Sequence, residues 1–196
     1  MNDSTKNTAI VVSIAGQAKH GKTTFGKMLA EELGQLGVVP FTVGFADALK
    51  SEAASMLGID ESNFYDDATK EGYRTFMQGL GDARKVSNSK FYWADKVSAR
   101  YHTWCTYTEL NDQPTALIIT DSRYDFEAEW ANGQFIKAVH ATLNVVRPGA
   151  STTEHSSHCS EAGISPHLVT HTINNIGNLS DLQHQAWCLA SELVKS

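Results

Sequence analysis

The stretch Gly16-Gln17-Ala18-Lys19-His20-Gly21-Lys22-Thr23-Thr24 limits what this chain can become more than any other. It follows an apolar run, residues 9–15, and opens a helical pattern that continues through residues 25–33. It therefore reads as strand, glycine loop and helix, the context in which G-x-x-x-x-G-K-[ST] is a phosphate site. The glycines let successive backbone N–H groups point into one hollow, the helix adds the positive end of its dipole, and Lys22 supplies a mobile cation. A polyphosphate is the natural occupant, cradled by Gly16, Ala18, Lys19, His20, Gly21, Lys22, Thr23 and Thr24. Thr23 would offer its hydroxyl to Mg²⁺, and Thr24 or backbone amides would hold the α-phosphate side. The strand before the loop and the helix behind it weigh against a glycine turn that binds nothing.

With 196 residues, 41% hydrophobic and 19% charged, the chain has room for one domain with a substantial core. Sixteen Lys and Arg against 22 Asp and Glu leave a net charge of -6, so no general attraction to nucleic acid or anionic membrane is expected. Cys105, Cys159 and Cys188 form no regular framework and point to reduced thiols in a cytoplasm. No apolar run approaches membrane-spanning length, and residues 1–8 are polar and lack the marks of a signal or transit peptide.

Along the chain, residues 41–45 read as a second buried strand, and a helix starting at Ala46 places Asp47 at that strand's carboxyl end, where open α/β sheets bind ligands. Asp47 is expected to face the same crevice as the phosphate loop, or else to cap its own helix. Residues 51–102 show helical periodicity and no strand, a helical excursion with Arg74 and Gln78 on one face, joined by Lys70. That face could grip a phosphate and a base, and equally could be a solvated basic surface. Trp93 heads a helix and suits either a core or a stacking platform.

Residues 115–121 form an apolar strand ending in Asp121, the carboxylate expected to hold hydrated magnesium opposite the loop. Arg123 follows where a cation could meet a transferring phosphoryl group, or could pair with Glu127 four residues on. Helical spacing runs from Tyr124 to about Val139, a fourth strand spans residues 143–146, and a fifth spans 168–173 before a helix over 179–194. Residues 151–165 carry no apolar periodicity and read as a lid, with Arg147 at its hinge. His155, His158, Cys159, His167 and His171 bunch there, yet their spacing matches no tetrahedral zinc set, so polar lid residues are the preferred reading. The expected architecture is one α/β domain over residues 1–196, a five-stranded parallel sheet with a helical acceptor region at about 51–110 and a short lid at about 150–166.

Taken together, these blocks resemble the deoxynucleoside monophosphate kinases of tailed bacteriophages. Tyr73-Arg74-Thr75-Phe76-Met77-Gln78-Gly79-Leu80-Gly81 is similar to that family's R-x-x-[ML]-Q-x-[LM]-G block, with Trp93 where a tryptophan is usual. Asp121-Ser122-Arg123 with Glu127-Ala128 is similar to D-x-R…E-[AM]. Arg147-Pro148-Gly149 with His158-Cys159-Ser160-Glu161-Ala162-Gly163 resembles R-P-G…H-x-[ST]-E-A-G, and Thr172-Ile173-Asn174-Asn175 with Gly177-Asn178-Leu179-Ser180-Asp181-Leu182 resembles I-x-N-x-G-x-L-x-x-L.

The resemblance implies a nucleoside-monophosphate-kinase-like three-layer core, ATP and Mg²⁺ as cofactors, and a small-molecule deoxynucleoside monophosphate as acceptor. It implies catalytic roles for Lys22, Asp47, Asp121 and Arg123, with Thr23 and Asp121 serving the metal. Asp47, Lys50, Arg74, Gln78, Trp93, Arg123, Glu127 and Glu161 would contact the acceptor; Arg147 and His158 would belong to the lid, and Arg147, Asn174 and Asn175 would attend ATP. Residues 130–139 read as extra helix beyond the family's pattern and as a candidate homodimer surface. The expected location is the cytoplasm, that of the host if the protein is phage-encoded. Two other readings remain open: a related phage kinase acting on 5-hydroxymethyl-2′-deoxyuridine within DNA, with the basic excursion as its groove, and a non-catalytic nucleotide switch.

Overall fold

Every residue of Ile10–Ala15 is buried, and an unbroken apolar strand of this kind is stable only inside a sheet covered on both faces. A computed structural model of the chain describes residues 9–66, 68–108, 110, 113–149 and 163–196. Ile10–Ala15 is β1, followed by α1 (Lys22–Gln35), β2 (Val39–Val43), α2 (Phe45–Leu57), α3 (Arg74–Ser87) and α4 (Tyr92–Tyr107). The second half holds β3 (Thr115–Ile119), α5 (Asp125–Gln134), β4 (Val139–Val146), β5 (His171–Asn174) and α6 (Leu179–Leu193). The strands form one five-stranded sheet in the order β2-β3-β1-β4-β5, and every neighbouring pair is parallel. The α/β class and the five parallel strands expected from the sequence are thus present.

Side chains alternate across a strand, so β1 serves two cores at once. Ile10, Val12 and Ile14 pack with Phe25, Leu29 and Leu33 of α1 and Leu182, Ala186 and Leu189 of α6. Val11 faces the other way, into a cluster with Phe45, Val97, Tyr101, Leu117, Ile119 and Trp130 from α2, α4, β3 and α5. The result is three layers. A smaller cluster of Ala53, Ala54 and Phe64, backed by Tyr73, Phe76, Met77 and Leu80, holds α3 against α2. Because β1 lies between β3 and β4, connections leave it in both directions, which opens a crevice at the strands' carboxyl ends.

Several boundaries differ from the sequence reading, each for a physical reason. The second strand is Val39–Val43 rather than 41–45, because Gly44 already caps α2. Residues 168–173 are not one strand: Pro166–Leu168 forms a 3₁₀ turn, and pairing with β4 begins only at His171. The helix after Tyr124 stops at Gln134, and Val139 starts β4, four residues before the expected strand. Trp130, Ala131 and Phe135 are core residues. Within the stretch read as a candidate dimer surface these three fill the interior, while residues 132–134, Ile136 and Lys137 are exposed.

Among the described residues no helix is long and apolar enough to cross a membrane, and no cluster of three or more His, Cys, Asp or Glu could hold a metal ion. His155, His158 and Cys159 lie outside the described residues. His171 of the proposed zinc group instead points its Nε2 at Glu192, 3.2 Å away.

Leu143, fully buried on β4, belongs to the core beneath the phosphate loop. Leu143→Ala should lower the unfolding free energy by about 2–5 kcal/mol, read from urea midpoints at unchanged m-value.

Candidate active site

The phosphate loop begins where β1 ends, and its backbone is shaped by close neighbours. Gly16 has φ 136°, and a Cβ there would run into the Val145 carbonyl of β4. Gly21 has φ 98° and serves as the N-cap of α1; a Cβ there would sit 2.6 Å from Asn175 Nδ2. Lys19 is left-handed as well, at φ 64°. The first turn of α1 has neither an acidic residue nor a capping side chain, so its amides remain available to an anion. Lys22 bends back over the loop and donates from Nζ to the carbonyls of Gly16 (2.7 Å) and Gln17 (2.8 Å). Thr23 and Thr24 are exposed at the helix start.

Two further strands attend the loop. His20 Nδ1 lies 3.2 Å from the Val145 carbonyl and 3.4 Å from the Arg147 amide, and Asn175 Nδ2 donates to the His20 carbonyl at 2.9 Å. The structure thus brings His20, Arg147 and Asn175 together at the loop, with Asn174 one residue behind at the end of β5. Glu161 and His158 lie outside the described residues.

Asp121 stands one residue beyond Thr120, past the end of β3. Its Oδ1 accepts the Phe45 amide at 2.6 Å and its Oδ2 the Ala46 amide at 2.9 Å, so the carboxylate caps the N-terminus of α2. Burial nonetheless raises its proton affinity above the ordinary carboxylate range, against the pull of those two amides. Next to it, Ser122 is buried, with its amide on the Ile14 carbonyl at 3.1 Å and its hydroxyl without a partner among the described residues. An exposed threonine hydroxyl and a carboxylate are the hard oxygen donors that Mg²⁺ takes, so the residues present fit such an ion.

Beyond Asp121 a cavity of about 290 Å³ opens between α2, α3, α4 and the segment leading into α5. Seven residues singled out in the sequence line it together: Lys50, Arg74, Gln78, Trp93, Asp121, Arg123 and Glu127. Asp47 does not itself line this wall and borders a separate, wider depression, with its Oδ1 3.5 Å from Lys50 Nζ of the wall. Its Oδ2 accepts the Gly44 amide at 2.6 Å and its Oδ1 the Tyr65 hydroxyl at 3.0 Å, because position N3 of a helix is where a carboxylate closes a capping box. Asp47 thus caps its own helix, one of the two roles the sequence offered.

Trp93 is buried with its Nε1 on the Gly81 carbonyl at 3.1 Å, forming wall rather than platform. Sequence reasoning missed the aromatic side of the cavity. Tyr124 and Phe126 stack at 5.2 Å, Lys85 Nζ lies 4.8 Å from the Tyr124 ring centroid, and Lys90 Nζ lies 5.9 Å from that of Phe126. Lys85 and Lys90 belong to the basic excursion seen in the sequence, and Arg74, Gln78, Gly81 and Lys85, which recur at helical spacing, all face the cavity from α3.

Glu127 closes a capping box on α5, its Oε2 accepting the amides of Arg123 (2.7 Å) and Tyr124 (3.1 Å). Burial pushes its carboxyl up to about 7, the nearby Asp121 charge adds to the rise, and the backbone amides and Lys85 oppose it. The expected pairing of Arg123 with Glu127 thus includes the arginine's backbone amide.

A glycine loop after the first strand of a parallel sheet, together with a cation-lined cavity next to Asp121, fits the class of the nucleotide kinases. The deoxynucleotide monophosphate kinase family model matches residues 47–186, and the chain belongs to that family. The match starts beyond the phosphate loop, so the loop is an independent observation. Among solved structures, a candidate kinase from Chloroflexus aurantiacus J-10-fl shares the fold with a TM-score of 0.51 at 15% identity, over 96% of this chain and 97% of that one. No curated protein matches the sequence.

The Glu127 carboxyl holds its proton to higher pH in the folded chain than in the unfolded one, whose ordinary value is 4.5. Its contribution to stability is therefore full below that value and is lost as pH rises towards 7. Glu127→Gln, which keeps an acceptor for the two amides, should flatten this part of the profile when urea midpoints of the two proteins are compared from pH 4.5 to 8.

Proposed function

We propose that the protein transfers the γ-phosphate of ATP to the 5′-phosphate of a deoxynucleoside monophosphate, giving a deoxynucleoside diphosphate and ADP. The observation that carries this reading is the convergence of Lys50, Arg74, Gln78, Arg123 and Glu127 on one cavity of mononucleotide scale. Six cations line it, Lys50, Lys70, Arg74, Lys85, Lys90 and Arg123, against four acids, Glu71, Asp82, Asp121 and Glu127, an excess of two that suits a phosphate dianion.

In this reading the loop amides and Lys22 hold the donor, with Arg147 and Asn175 at its nucleoside end. Arg74 and Lys50 orient the acceptor phosphate, and an oxygen of that phosphate attacks the γ-phosphorus as the bond to the β-phosphate oxygen breaks. Arg123, on the cavity wall beside Asp121, neutralises charge spread over the transferring group. Thr23 and Asp121 would hold magnesium, whose chemistry there would be to neutralise charge on the donor phosphates. No covalent intermediate is required, since holding two phosphates in line supplies most of the acceleration.

Transfer to 5-hydroxymethyl-2′-deoxyuridine within DNA is the alternative. The cations named above line one cavity of about 290 Å³, a volume on the scale of a free mononucleotide rather than of a duplex. A coupled assay with each deoxynucleoside monophosphate should show turnover that is nearly insensitive to added salt. Turnover with hydroxymethyluracil-containing DNA alone, falling steeply with ionic strength, would reverse the assignment. Lys22→Ala should cut kcat at least about 100-fold with an unchanged unfolding midpoint. Arg74→Ala should raise the acceptor KM about tenfold while leaving that of ATP within about twofold.

A further inference from the structure

The strand that supports the phosphate loop is itself short and marginal. Among the described residues β5, four residues long, pairs only with β4 and forms one edge of the sheet. A lone edge strand of this length presents backbone groups to water and frays readily. Here one side chain takes the place of a missing neighbour. Gln185, on α6, accepts the Asn174 amide on Oε1 at 3.1 Å and donates from Nε2 to the Asn174 carbonyl at 3.0 Å. A primary amide carries a donor and an acceptor side by side, so it can pair with both polar groups of a single residue, as another strand would.

The next residue carries the consequence. Asn175 is held by its amide on the Val146 carbonyl at 2.8 Å, and its side chain donates to the His20 carbonyl at 2.9 Å. The same Nδ2 lies against Gly21, whose positive φ starts α1. A continuous run of hydrogen bonds therefore leads from α6, through Asn174 and Asn175, to the turn that delivers the loop amides.

We propose that Gln185 is a positioning residue for the donor nucleotide: by gripping both backbone groups of Asn174 it fixes Asn175, and through Asn175 the His20–Gly21 turn of the phosphate loop. This rests on the reading of that loop as the ATP site. Gln185 itself touches neither substrate. Its bonds to Asn174 are solvent-exposed, so water replaces them when they are lost, and the global fold is nearly indifferent to the change. The loop is not indifferent, because the geometry of its amides depends on where Asn175 stands.

The test is calorimetric titration of ADP into the full-length protein and into Gln185→Ala and Gln185→Leu, with unfolding midpoints and both KM values measured alongside. ADP affinity should fall about three- to tenfold in both variants, with the acceptor KM and the midpoint unmoved. Gln185→Glu, which still accepts from the Asn174 amide but cannot donate to its carbonyl, should lie between them and the wild type. Amide hydrogen exchange at Asn175 and Gly21 should quicken in the same order. ADP affinity unchanged in all three variants overturns the proposal, as does an equal rise in both KM values. A wild-type protein that binds ADP but phosphorylates no deoxynucleoside monophosphate would remove the proposed function and leave this inference intact.

Discussion

The arrangement of this protein depends on one carboxylate at one helix end. Asp121 stands beyond the last residue of β3 and accepts the amides of both Phe45 and Ala46, which are the first two residues of α2. The positive end of a helix dipole and two otherwise unpaired N–H groups offset the cost of setting a carboxylate among protein atoms. The link is directional. It fixes α2 against the sheet so that Lys50 lines the cavity, with Asp47 paired to it at 3.5 Å. An apolar residue at 121 would leave the two amides without partners and the angle of α2 undetermined. The same contact explains Gly44, where any Cβ would fall within 2.7 Å of Asp121 Oδ2.

The donor side is held by different means. Its loop is a run of backbone whose shape is imposed from outside by β4 and β5: the Val145 carbonyl approaches Gly16, and Asn175 approaches Gly21. With Lys22 folded onto the Gly16 and Gln17 carbonyls, the ammonium already lies beside the hollow that the amides surround. A polyphosphate entering there needs little rearrangement of the chain, because the anion replaces weak carbonyl acceptors with stronger charged ones.

Much of this was legible in the sequence, and what was not failed for identifiable reasons. The glycine loop, the five strands and the cavity residues from Lys50 to Glu127 are local patterns, and local patterns survive folding when each is backed by burial. Asp47 is ambiguous in the sequence because position N3 suits both a capping box and a ligand, and its contact with Tyr65, 18 residues further on, has no local signature. Val139 was assigned to a helix because Trp130, Ile136 and Val139 have acceptable helical spacing; the turn to β4 is set instead by Phe135 entering the core, a tertiary effect without a local signature. Tyr124 and Phe126 escaped notice because two aromatics at i and i+2 look like scattered core residues until α3 brings Lys85 against one of them.

The cations of the acceptor cavity show how such a site can stay folded before its ligand arrives. Lys50 has Asp47 at 3.5 Å, Arg74 has Glu71 at 2.9 Å and Lys85 has Asp82 at 3.0 Å, each an i,i+3 pair. Pairs of this kind contribute about 0–1 kcal/mol when exposed, enough to relieve repulsion among the cations and too little to resist a dianion. A phosphate that displaces the acids meets guanidinium and ammonium groups already oriented from two helices. The acids lose little, since Glu71 and Asp82 are more than half exposed and return to water. Binding strength is thus obtained by exchanging weak partners for a strong one rather than by leaving bare charges in a cavity, and that exchange allows six cations to line one small space in a chain whose net charge is -6.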